Sequence, residues 1–138
     1  MKRLTRLLLP ALLAALLAGC PNSRSDEKAL ENTLTAFASE FRWGEDIERV
    51  FAYFDPEDAD KLRPKPLELE RWKQYRVIGY REQPVVWNGE NSAAQRTELE
   101  LVNRHTQITR NLRLTTLWRY DDEAERWYLD SPLPTLSP

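Results

Sequence analysis

Residues able to do chemistry are few, and each is short of a partner. Cys20 is the single cysteine, so it has no intramolecular disulfide partner. The one histidine, His105, stands between two strand-like runs with no cysteine or second histidine to complete a metal site. No serine has a nucleophile-elbow sequence beside it, so a Ser–His–Asp arrangement through His105 has no support. Beyond residue 20 the only glycines are Gly44, Gly79 and Gly89, too dispersed for a phosphate-cradling loop. Carboxylates are abundant, but Asp46, Asp55, Asp58, Asp60 and Glu70 fall beside basic residues or near helix ends, as solvated and capping groups do. These residues predict no catalytic residue, no metal and no cofactor.

Cys20 acquires a role from what precedes it. Lys2, Arg3 and Arg6 open the chain, and Leu7 to Leu17 is an uncharged run rich in leucine and alanine. Eleven helical residues rise only about 16 Å, far short of a hydrocarbon core of roughly 30 Å, which fits a cleavable leader over residues 1–19 better than a spanning helix. The run ends in Leu17-Ala18-Gly19-Cys20, which resembles the lipobox of bacterial lipoproteins at all four positions. That resemblance implies diacylglycerol on the sulfur of Cys20, cleavage after Gly19, and a further acyl chain on the new amino terminus. Several acyl chains anchor stably where one binds marginally. Pro21 occupies the position where aspartate would mark inner-membrane retention, so the expected address is the outer membrane, facing the periplasm. The membrane, reached through Cys20, is thus the first expected partner.

Without the leader, 119 residues remain, enough for one domain. The leader holds three of the 20 basic residues and none of the 22 acidic ones, so side-chain charge moves from −2 to −5. An acidic domain argues against nucleic acid as a partner. Residues 20–25 read as lipidated cysteine and short tether, and residues 26–138 as a single domain.

The domain's elements follow from periodicity. Ser25 is placed to cap a helix whose first turn holds Asp26 and Glu27. Leu30, Leu34, Phe37 and Phe41 make one apolar stripe, and Gly44 ends it. Ile47, Val50, Phe51 and Phe54 predict a second short helix ending at Asp55-Pro56. Glu57 to Pro66 reads as a connector, and Leu67 to Lys73 as one more helical turn with Leu69 and Trp72 inward. From Gln74 the period becomes two. A run from Tyr75 to Trp87 reaches a turn at Asn88-Gly89. Thr97, Leu99 and Leu101 alternate with polar positions, as do Leu112, Leu114, Thr116, Trp118 and Tyr120. The acidic turn Asp121–Glu125 leads to a short strand from Trp127 to Asp130, and a proline-bearing tail cannot continue as a central strand. The expected class is α+β, with two or three N-terminal helices packed on a curved four-stranded antiparallel sheet. This order, closing on Leu117-Trp118-Arg119-Tyr120 and Arg126-Trp127-Tyr128-Leu129, resembles the NTF2-like (cystatin-like cone) superfamily over about residues 26–130.

Five tryptophans remain to be placed. Trp118 belongs to the core by parity, whereas Trp72, Trp87 and Trp127 flank strand ends and form a candidate binding surface, since tryptophan concentrates at interfaces. Arg110 shares the parity of Ile108 and Leu112, which places it at a bulge, near the sheet's open end, or facing an anionic ligand. Three function classes follow. The first is a non-enzymatic module docking on an envelope protein. The second binds an apolar small molecule or lipid in the concave sheet. The third is an enzyme with the Asp/Tyr acid–base chemistry that the NTF2-like resemblance implies.

Overall fold

A computed structural model describes residues 23–136. Residues 1–19, expected to be a leader, together with Cys20 and Pro21, lie outside the described residues. Helix α1 spans Ser23–Trp43, so it begins before the expected cap and takes Ser25 into its first turn. Its stripe Leu30, Leu34, Phe37 and Phe41 is buried throughout. The helix stops where Gly44 N–H donates to the Glu40 carbonyl at 2.9 Å. A Cβ at Gly44 would sit 2.3 Å from that oxygen, so this tight closure needs glycine.

The second helix, Ile47–Tyr53, is a 3-10 helix capped by Asp46, whose side chain accepts from Glu48 N–H at 2.9 Å. Its Val50 and Phe51 point inward. The expected connector contains one short helical turn, α2 (Ala59–Leu62). Helix α3 (Pro66–Lys73) opens with proline in its first turn, where a missing N–H is harmless, and it buries Trp72.

Five strands follow: β1 (Tyr75–Glu82), β2 (Val86–Trp87), β3 (Ser92–Asn103), β4 (Thr109–Asp121) and β5 (Arg126–Leu129). All pairings are antiparallel, and the sheet order is β1-β3-β4-β5, with β2 pairing β3 beyond the end of β1. The sheet is therefore four strands wide and curled, with one edge strand broken in two. Pro84 sits at the break and has no N–H to offer β3. The gap is stitched by Gln83 N–H to the Arg96 carbonyl (2.9 Å) and Gln95 Nε2 to the Gln83 carbonyl (3.1 Å).

Turn chemistry fixes the strand order. Gly89 takes a φ of 139° between β2 and β3. The Asn103 side chain accepts from His105 and Thr106 N–H, and Asp121 accepts from Glu123 and Ala124 N–H, closing the next two hairpins. One face of the sheet carries Leu99, Leu101, Leu114 and Trp118, and the helical stripe fills it. Phe37 meets Trp118 edge-on at 5.2 Å and Tyr53 at 5.4 Å. Burying each such side chain contributes about 1.5–3 kcal/mol, which is the main force holding helix to sheet. The tail also joins the core: Leu133, between Pro132 and Pro134, and Leu136 are both buried.

Candidate docking surfaces

Two of the three expected surface tryptophans are core residues. Trp72 is 3% exposed; its Nε1 donates to the Pro134 carbonyl at 3.2 Å, and its ring stands edge-on to Phe41. Trp127 is 1% exposed, with Nε1 donating to the Asp26 carbonyl at 3.0 Å. Both are thereby withdrawn from the expected patch, because each buried indole found the acceptor it needs in a distant segment. Trp87 alone stays at the surface, 42% exposed and edge-on to Trp127 with centroids 5.7 Å apart.

Arg110 is half-buried on the inward side of β4. The β3–β4 register runs unbroken from Ser92↔Arg119 to Val102↔Thr109, so no bulge accounts for it. It lies at the sheet's end, where its guanidinium donates to the Leu136 carbonyl at 3.2 Å and sits 5.9 Å from the Tyr75 ring centre. Its inward parity thus serves to clasp the tail. The irregularity is in β1, between Val77 and Gly79, opposite Glu100.

His105 is exposed in the β3–β4 turn. Among the described residues no group of three His, Cys, Asp or Glu is placed to hold a metal ion, and no helix is long and apolar enough to cross a membrane. Asp55 is buried; one carboxylate oxygen accepts from Glu57 N–H and the other pairs with Arg119, tying the end of the 3-10 helix to β4. Burial, partly relieved by a hydrogen bond with Thr97, pushes the Tyr80 hydroxyl up to about 12.

The surface that sequence reasoning missed lies at the C-terminal end of α1. Trp43, the helix's last residue, is 74% exposed, and the Arg42 guanidinium sits 5.0 Å from its ring centre. Arg42 and Trp43 share a shallow groove of about 400 Å³ with Arg76, Ile78 and Arg104. Ile78, at the β1 irregularity, is itself exposed. Arg104 donates Nε to the Tyr75 carbonyl at 3.3 Å. Among the described residues none of these three arginines has a carboxylate within salt-bridge distance; the nearby Lys73 and Glu40 are engaged elsewhere, with Glu70 and Arg49. The groove's one free carboxylate is Glu45, so a positive balance remains on an otherwise acidic domain. Trp43 was placed for this by its spacing: two residues beyond Phe41, it falls on the far side of the helix from the apolar stripe.

Compared with models of known protein families and with curated proteins, the chain matches none.

Proposed function

We propose that this chain is a lipoprotein of the bacterial cell envelope, held by acylated Cys20 and facing the periplasm from the outer membrane, whose domain is a non-enzymatic docking module with an NTF2-like architecture. The observation that carries the docking role is the Arg42–Trp43–Arg76–Ile78–Arg104 face. An exposed tryptophan and isoleucine beside arginines that have no carboxylate partner among the described residues have the composition of an interface core, where tryptophan and arginine supply most hot spots. The partner that complements this face is an acidic, partly apolar surface of another envelope protein. The core side of the sheet packs against α1, whose Leu30, Leu34, Phe37 and Phe41 join Leu99, Leu101, Leu114 and Trp118 in one cluster.

The test is made in cells on the full chain. A photo-crosslinking amino acid replaces Trp43, and separately Thr115 on the outer face of β4 as a control. One envelope protein captured repeatedly from position 43, absent from position 115 and lost in an R42E/R76E background, is the expected result. Capture that is the same from both positions, or indifferent to charge reversal, would remove the docking face from the account. The anchor is checked in parallel, because C20A is expected to accumulate as an uncleaved, unacylated precursor.

A further inference from the structure

The opposite end of α1 carries a second aromatic feature. Trp127 donates its ring N–H to the Asp26 carbonyl, in the helix's first turns. Against Trp127 pack Tyr120, with centroids 5.4 Å apart, and Trp87, at 5.7 Å. Trp87 also shares a groove of about 540 Å³ with Glu27, Leu30 and Glu31 of α1. The α1 residues that line this groove, Glu27 to Thr35, begin about 6 Å along the helix from Ser23, taking 1.5 Å of rise per residue. Trp87 does not stand alone in this exposure, because Val86 beside it is 60% exposed. The two form β2, which runs into the turn through Gly89.

Isolated apolar residues on a surface need no explanation. Here the location supplies one. Cys20 is three residues before Ser23, and three residues span at most about 11 Å. The acyl chains that the proposed function places on Cys20 would thus hold this end of α1 close to the bilayer surface. Tryptophan and tyrosine favour that boundary, where an apolar ring body and a polar N–H or O–H are both satisfied. We propose that the Val86-Trp87 tip, backed by Trp127 and Tyr120, rests in the interfacial layer of a zwitterionic bilayer. This rests on the anchor reading above. The lipid class follows from the surrounding charge: Glu27, Glu31 and Glu82 line the groove beside Trp87. Around Tyr120, partial burial and the Asp26, Glu125 and Asp122 carboxylates raise the hydroxyl's pKa above the ordinary tyrosine value. That acidic collar repels anionic headgroups and tolerates phosphatidylethanolamine and phosphatidylcholine.

The experiment uses the full lipidated protein reconstituted into phosphatidylethanolamine–phosphatidylcholine vesicles, a fraction of whose acyl chains are brominated near the headgroup. Bromine quenches tryptophan only at close range. The brominated lipid is expected to quench the parent protein and W43F, and W87F is expected to lose most of that quenching while keeping its far-UV circular dichroism and thermal midpoint. V86D, which leaves every tryptophan in place, is expected to reduce quenching as well. Quenching equal in W87F and the parent, or absent from both while the protein floats with the vesicles, would overturn the membrane contact and leave the anchor standing. Protein that fails to float with the vesicles would instead overturn the anchor, and this contact with it.

Discussion

Strand β4 offers three leucines whose environments differ in a graded way, and truncating each tests the packing of helix on sheet. Leu114 is fully buried in the core, Leu112 packs against the core while half-exposed, and Leu117, on the opposite face, is 43% exposed. Truncation of a fully enclosed leucine removes its transfer energy and leaves a cavity, so L114A is expected to cost about 3–4 kcal/mol. Where one side of the residue already meets water, the cavity term largely vanishes, and L112A is expected to cost about 1–2 kcal/mol. L117A, off the core, is expected within about 0.5 kcal/mol of the parent. For a domain of this size the total stability is about 6–15 kcal/mol, so L114A remains folded but removes a large share. Urea unfolding followed by tryptophan emission reads the difference directly. With a slope of about 1.5 kcal/mol per molar, L114A lowers the midpoint by roughly 2 M, and the slope itself stays constant. The order Leu114 > Leu112 > Leu117 is what the fold requires. If L117A cost as much as L114A, the strand would be facing the other way, and the placement of every β4 residue would fall with it.

Two further outcomes probe polar contacts. D55A removes both the acceptor for Glu57 N–H and the partner of Arg119, whose side chain is 38% exposed and so partly rehydrates; the expected cost is about 2 kcal/mol, read as a lowered thermal midpoint. A change below about 0.5 kcal/mol would mean that the tie between the 3-10 helix and β4 is incidental. Tyr80, held neutral to about 12 by burial, keeps its proton in the folded state while the unfolded chain releases it near its ordinary value of 10.0. The folded state then binds more protons between those values, so stability is fully present below pH 10 and falls as pH rises toward 12, by up to about 2 kcal/mol. Urea midpoints at pH 9 and pH 11 are expected to diverge more for the parent than for Y80F; parallel behaviour of the two proteins would refute the assignment.

What could be read from the sequence was whatever repeats locally. The stripe Leu30–Leu34–Phe37–Phe41 and the even-numbered face of β4 follow from periods of 3.6 and 2, and both face the core as expected. Trp72 and Trp127 escaped that reasoning because their fates rest on acceptors 62 and 101 residues away, which no local pattern reports. The tail was legible only as a non-strand; Leu133 and Leu136 have no period, and their burial depends on clasps from Arg110 to the Leu136 carbonyl and from Leu136 N–H to Glu68. The division of the first strand was written in Pro84, whereas the irregularity at Ile78 has no comparable signal. The basic face is a different omission. Trp43's position off the apolar stripe was visible, but Arg76 and Arg104 reach it only through the pairing of β1 with β3.

The two aromatic features sit at different levels of α1: the groove beside Trp87 is lined by Glu27 to Thr35, and Trp43 ends the helix about 12–24 Å further along its axis. That separation governs how the proposed contacts would operate together. A tip of one valine and one tryptophan has little affinity for a bilayer by itself. On a domain whose helix α1 begins three residues after the proposed lipid anchor at Cys20, however, its encounter with the membrane would become intramolecular, at the millimolar effective concentrations that short tethers produce. Weak contact is then sufficient to favour one orientation. With the N-terminal end of α1 held down by the proposed anchor, the arginine face would stand away from the bilayer by more than the screening length of about 8 Å at physiological salt. At that distance the bilayer surface would not occupy Arg42, Arg76 and Arg104, and their positive balance would be available to an acidic protein surface. On the proposed anchor, an acidic domain would thereby keep Arg42, Arg76 and Arg104 together at the C-terminal end of α1, away from the membrane and open to a partner.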